Sequence, residues 1–335
     1  PGGLSYFEHL LKYTVGTDLT ISQISRLLDD QMETDYETVY AAIEEGIDLL
    51  EHDSVATADS DTANSNASGD MASAQTASDA SSPLYILLKL QKKINEDFPM
   101  PPDTNFQVKT VPDSLAPYLS PAFYLTPPVD ATQENTIYIN PSQNTDGITL
   151  LTTLAHEGFP GHLYQTVYSS RIFSDMHTDP ARKLIWYGGY LEGWALYVEF
   201  LSYDYAATLL EQAGQSDAAQ SARLEKHTRT LQLCMYTLLD LLIHGEGAGY
   251  DQVAEVLGKF GIDSPGTCEA IYTYIAEEPC NYPKYYIGYL EILQLQDTAR
   301  SHWKDAYSDL RFHTFYLEQG TSDFSSLEDL LLMTN

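Results

Sequence analysis

From Ile148 onward, apolar residues recur at three- and four-residue intervals almost without a break, and this period dominates what the chain can fold into. It is the signature of helices that each bury one face. The spacing predicts helices over roughly 148–157, 162–173, 178–212, 216–243, 250–260, 265–276 and 284–305, with a last one after Ser325. Near the start, Phe7, Leu10, Leu11 and Val15 share one stripe, Thr20 or Ser22 opens a helix running through Leu28, and Tyr36 to Leu50 is a further amphipathic run. Helical patterning resumes at Leu84 and reaches about Phe98, where Pro99 to Pro102 end it. Only residues 104–142 alternate as strands do: Phe106–Val108, Phe123–Leu125 and, most clearly, Thr136–Asn140, stopped by Pro141 and followed by a turn over Asn144–Gly147. The expected architecture is mainly α with a small antiparallel β-sheet.

Residues 52–82 differ from their flanks, with one Met, one Val and no aromatic side chain. Such a composition buries too little apolar surface to offset chain ordering, so it reads as a low-complexity linker or insertion. The chain thus divides into N-terminal helices (1–51), this segment (52–82), and a helical region (83–335) carrying the small sheet at about 104–142. Over the whole chain, 43% hydrophobic residues and 25 tyrosines suffice for a real core. The net charge is −31, which repels phosphate backbones, so nucleic acid and anionic membranes are poor partners. No stretch of 18 apolar residues occurs, so no membrane-spanning segment is expected. Pro1, Gly2 and Gly3 lead into no signal pattern, and the chain reads as a fragment or processed form. Scarce lysine and the Ser/Ala-rich insert favour an extracellular or cell-surface setting, with the cytoplasm as the alternative. Cys268 and Cys280, twelve positions apart, allow either a local disulfide or two free buried thiols; Cys234 stands alone.

The segment ITLLTTLAHEGFPGHLYQTVY carries chemistry. A zinc hydrolase needs two neutral imidazoles on one ion and a carboxylate beside them that can deprotonate water. His156, Glu157 and His162 are those residue types. In an unbroken helix a six-residue offset is about 600°, which leaves the two rings on different faces. Gly158, Pro160 and Gly161 predict a helix break that swings His162 back toward His156. A third ligand is expected from GGYLEGWALYVEFLSYDY, where Glu192 sits beside an apolar stripe of Leu191, Trp194, Ala195, Val198 and Leu201. A carboxylate there is costly unless paired or metal-bound, and Gly193 permits close approach. Glu199, seven residues on, is an alternative ligand or an orienting partner.

HEGFPGH (156–162) followed by YLEGWALY (190–197) resembles the bacterial domain of unknown function family 885. The likeness runs from about Pro121 to Gly320 and takes in NTIYINP (135–141) and YPKYYIGYLEIL (282–293). That family in turn resembles the gluzincin zinc metallopeptidases, the group of thimet oligopeptidase, carboxypeptidase Taq and angiotensin-converting enzyme. The resemblance implies a zincin-like helical architecture, zinc on His156, His162 and Glu192, and Glu157 as general base. It also implies a late tyrosine facing the metal, either Tyr285 or Tyr286, to stabilise the oxyanion. The implied activity is hydrolysis of a peptide substrate by a metal-activated water. The rival readings are a non-catalytic surface protein that binds metal or peptide, and a metal-dependent hydrolase of non-peptide amides.

Three further residues are candidates. Asp240 and His244, four apart on an apolar helix, are expected to pair as carboxylate and imidazole near the metal or in the core. His313, in RFHTFYLEQG, is a candidate for lining the site. The strand Thr136–Asn140 is expected either as an edge that takes an extended peptide or as part of a structural sheet. No G-x-G-x-x-G, P-loop or G-x-S-x-G occurs, and the cysteines form no C-x-x-C pair.

Overall fold

The computed structural model describes residues 3–44, 82–94, 96–128, 134–143, 147–176 and 180–334. The expected insertion, apart from Ser82, and the turn residues 144–146 lie outside the described residues, as do residues 45–50 of the expected second helical run.

The helices are α1 (Gly3–Leu10), α2 (Ile21–Glu44), α3 (Pro83–Lys93), α4 (Gly147–Glu157), α5 (His162–Asp175), α6 (Gly188–Gln212), α7 (Ser216–Asp240), α8 (Tyr250–Lys259), α9 (Pro265–Glu277), α10 (Asn281–Trp303), α11 (Asp309–Gln319) and α12 (Phe324–Leu332). α2 begins where a capping box predicts it: Thr20 Oγ1 accepts from Gln23 N–H at 3.3 Å and Gln23 Oε1 accepts from Thr20 N–H at 2.9 Å. The two helical runs expected around 20–28 and 36–50 are one helix as far as Glu44, because no Gly or Pro separates them. The expected helix 178–212 is instead a 3-10 turn over Pro180–Leu184 followed by α6, since the Gly188–Gly189 pair restarts the helix. α11 lies where no helix was expected; its N-cap Ser308 accepts from Arg311 N–H at 3.1 Å.

α6 is apolar on nearly every side and runs through the middle of the molecule, with α4, α7 and α10 packed around it. Its contact with α10 is closest at glycines: a Cβ on Gly193 would lie 2.4 Å from the backbone of Gly288, and one on Gly288 would lie 2.4 Å from the Gly189 carbonyl. The N-terminal helices share this core, with Phe7, Ile24 and Leu28 buried in it. A smaller cluster around Leu239, Val253, Leu257 and Ile275 lies beneath α8 and α9.

The sheet has three strands, β1 (Phe106–Thr110), β2 (Ala122–Leu125) and β3 (Asn135–Ile139), in the order β1-β3-β2. It is mixed rather than antiparallel: β3 pairs antiparallel with β2 but parallel with β1. The connection from Thr110 to Asn135 is long enough to cross back to the starting end, which a parallel pair requires. The expected edge strand is therefore the centre of the sheet. β3 is paired on both sides and Ile137 is fully buried, so it has no free edge for a peptide; the edge nearest α4 is β2. All three cysteines are buried free thiols, which settles the disulfide alternative at 268 and 280.

Candidate metal centre

The centre is built at the end of α4. Leu150, Leu151, Leu154 and Ala155 bury that helix and leave His156 and Glu157 as its last two residues. Gly158 N–H still reaches the Leu154 carbonyl at 2.9 Å; the chain then leaves helical geometry through a cis Phe159–Pro160 peptide. At Gly161 a Cβ would fall 1.7 Å from the His156 carbonyl oxygen, so no other residue fits this backbone. The Trp194 indole of α6 clamps the loop by donating to the Pro160 carbonyl at 2.9 Å. α5 restarts at His162, and the rings of His156 and His162 face each other with centroids 4.9 Å apart, nearly perpendicular.

Glu192, on α6, completes the cluster. Its Oε2 is 3.2 Å from His162 Nε2 and 3.9 Å from His156 Nε2. One donor atom from each of the three residues lies within 4.8 Å of the others. Two ligands on a tetrahedral Zn²⁺ stand about 3.3 Å apart, so the donor set and its spacing fit such an ion with small adjustments. Burial opposes the charge on Glu192, yet the hydrogen bond and charge of His162, together with His156 and Lys284, hold its carboxyl down to about 2. Burial likewise opposes a cationic His156, but Glu199, Glu157 and Glu192 outweigh it and raise that imidazole to about 9. Three carboxylates thus favour positive charge at one point, which a proton or a divalent cation supplies.

Glu199 stands behind His156, outside the group of three. Its Oε2 is 2.9 Å from His156 Nδ1, which turns Nε2 toward Glu192, and its Oε1 accepts from Arg229 Nε at 3.2 Å. Arg229 also donates to Gln232 at 3.0 Å. Glu157 is anchored from the sheet: its Oε2 accepts the Tyr124 N–H of β2 at 2.8 Å. Of the two tyrosines, Tyr285 faces the cluster, with its ring 6.2 Å from that of His156 and its phenol interacting with Glu192. Burial, then the charges of Glu192 and Glu157, push that phenol far above its usual range, so it stays a donor. Tyr286 does not reach the centre; one residue further around the helix it is fully buried against Cys234 and Tyr289.

The remaining candidates lie elsewhere. Asp240 and His244 do not pair, because the helix loosens into a π turn over Leu241–Glu246 and four residues no longer make one turn. Asp240 Oδ1 accepts from Cys280 N–H at 3.2 Å at the start of α10, and burial raises its carboxyl to about 7. His244 Nε2 contacts the Ile275 carbonyl at 3.0 Å. His313 does not line the cavity onto which His156, His162 and Glu192 open. It is buried between the Asp97 carbonyl, 2.6 Å from Nδ1, and the Tyr197 hydroxyl, 2.9 Å from Nε2, stacked on Phe98, and burial lowers it to about 4. Sequence reasoning missed Arg229, Trp194 as a clamp, and the Tyr124 amide. None carries a local signal, since each acts on a residue more than 29 positions away.

His156, Glu157, His162, Glu192 and Tyr285 all open onto one cavity of about 590 Å³. A family model for a bacterial protein of unknown function (DUF885) matches residues 1–331. The chain belongs to this family. Among solved structures it is similar to a candidate lipoprotein from Colwellia psychrerythraea, at 19% identity and a TM-score of 0.74 over 99% of this chain. It is also similar to a candidate lipoprotein of unknown function from Shewanella oneidensis, at 16% identity and a TM-score of 0.67 over 98% of this chain. These likenesses establish a shared fold. The chain spans 55% and 59% of the length of those two proteins. No curated protein matches it. Among the described residues, no helix is long and apolar enough to cross a membrane.

Proposed function

We propose that this member of DUF885 is a zinc-dependent peptidase of gluzincin type. The observation that carries the reading is the convergence of His156, His162 and Glu192 within 4.8 Å, on the wall of the same cavity as Glu157. His156, His162 and Glu192 would hold the ion, with Glu199 fixing the tautomer of His156. Zinc bound there would acidify water and polarise a carbonyl. Glu157, held by Tyr124 through Oε2, takes the proton of the attacking water on its other oxygen and passes it to the leaving amine. Tyr285, protonated and beside Glu192, donates to the carbonyl oxygen as negative charge develops on it. The helical fold with a small sheet edge beside the motif helix supports a zincin-like architecture. The similarity to two candidate lipoproteins supports a place at the cell envelope, facing outward.

The deciding experiment is Glu157→Gln, read by metal content and by digestion of a peptide library. A peptidase keeps stoichiometric zinc and loses at least about 100-fold in turnover, the usual weight of a general base. Unchanged digestion refutes the reading. Hydrolysis confined to non-peptide amides, or zinc and peptide binding without turnover in the parent protein, establishes one of the rival functions.

A further inference from the structure

The cavity that holds the cluster has a second character, set by what lines it beyond the metal. Among the described residues, its acidic and basic side chains are His156, Glu157, His162 and Glu192, together with Arg182. Arg182 is committed to the protein: Nη1 donates to the Thr321 carbonyl, Nη2 to the Gln319 carbonyl at 2.8 Å and to Ser322 Oγ at 2.7 Å, and its guanidinium lies over the Phe173 ring. Lys284 stands nearby with its ammonium over the Tyr285 ring, acting on Glu192. Among the described residues, the cavity wall therefore offers no charge outside the cluster and Arg182 to a substrate side chain.

It does offer apolar surface. Trp186 is 52% exposed and Ile185 is 42% exposed, both on the cavity wall just before α6. Phe123, stacked on Tyr138 at 5.1 Å, comes from β2, the strand whose next residue anchors Glu157. Trp186 is not loosely placed: its ring lies 2.9 Å from where a Cβ on Gly188 would stand, and the stem of Lys284 fills the same spot from the other side. Large apolar side chains left in water around a reactive cleft gain most by covering an apolar ligand group.

Building on the peptidase reading, we propose that Trp186, with Ile185 and Phe123, forms a specificity pocket for a bulky apolar or aromatic residue next to the scissile bond. Charged residues at that substrate position are disfavoured, because they would be desolvated against apolar walls without a partner. Discrimination between an aromatic and an acidic or basic residue is expected to be roughly tenfold or more, the scale of selectivity in an apolar pocket.

Trp186 reports on its own occupancy. The other two tryptophans, Trp194 and Trp303, are buried, so quenching by acrylamide reads mainly Trp186. The Glu157→Gln protein is titrated with blocked pentapeptides Gly-Gly-Xaa-Gly-Gly, where Xaa is Phe, Leu, Asp or Lys. The Phe and Leu peptides are expected to shield Trp186 and bind at least about tenfold tighter than the Asp and Lys peptides. Equal binding by all four, or binding with no shielding, overturns the pocket. In Ile185→Ala and Trp186→Ala proteins of unchanged melting temperature, the preference for Phe, read by competition with a labelled peptide, is expected to fall; an unchanged preference also overturns it. Because this readout needs no turnover, selective binding by the Glu157→Gln protein with no hydrolysis by the parent protein would refute the peptidase reading alone, and unselective hydrolysis by the parent protein would refute the pocket alone.

Discussion

His156 and His162 stand on the wall of the cavity that also holds Glu192; His244 and His313, also on helices rich in apolar residues, lie away from that cavity. The difference lies in what the ring nitrogens face. In the first pair each Nε2 looks toward one carboxylate, and Nδ1 of His156 is held by a second. In the second pair the nitrogens meet neutral oxygens: a carbonyl for His244, a carbonyl and a phenol for His313. Burial then decides the charge state. It lowers His313 to about 4, whereas at His156 the surrounding carboxylates overcome it. Residue type and helical setting are therefore shared by the clustered and the scaffold histidines, and only the partners across the fold separate them.

The contrast breaks most decisively at a proposed ligand. His162→Ala is expected to weaken zinc binding more than about 100-fold, beyond what loss of an orienting partner does, with the melting temperature nearly unchanged. Isothermal titration checks this, and stoichiometric tight zinc in the variant would place His162 with the scaffold pair. His313→Ala should behave in the opposite way. Losing two buried hydrogen bonds and leaving a cavity costs about 3 kcal/mol in urea unfolding, with a much smaller change in zinc affinity than in His162→Ala.

Glu199→Gln tests the intermediate layer, with an expected loss of about 10- to 100-fold in zinc affinity. Arg229→Gln should follow in the same direction and by less, since it is partly exposed and acts only through Glu199. The last effect is a pH slope, gradual within any one unit of pH. Asp240 is raised to about 7, so between about pH 4 and 7 the folded chain keeps a proton that the unfolded chain has released. Stability contributed by this group falls as pH rises through that window, by up to about 1.4 kcal/mol per unit, and levels off above it. Asp240→Asn should flatten that part of the unfolding free energy plotted against pH; an unchanged slope would show that Asp240 is ionised in the fold.

Much of the centre was legible because its instructions are local. Gly158, Pro160 and Gly161 announce a break, and the backbone at Gly161 has no room for a Cβ. Gly193 marks where two helices touch, and Glu192 beside it is the carboxylate that meets both imidazoles. The helices between Ser216 and Trp303 were legible for the same reason, since a 3.6-residue period is written in neighbouring positions. The choice between Tyr285 and Tyr286 was not, because adjacent residues on a helix differ only in which side faces the cavity. Asp240 and His244 misled because four residues imply contact only while the helix keeps its pitch, and here it widens.

By itself the sequence determined that the chain is mainly helical, where its motif helix breaks, and which residue types stand ready to bind a cation. These follow from short-range sterics and periodicity. The order of the strands, the edge that anchors Glu157, the Arg229–Glu199–His156 chain and the uncommitted apolar wall around Trp186 were decided by tertiary structure alone. Each depends on segments tens of residues apart meeting in space, and periodicity says which face of an element is buried without saying what it is buried against.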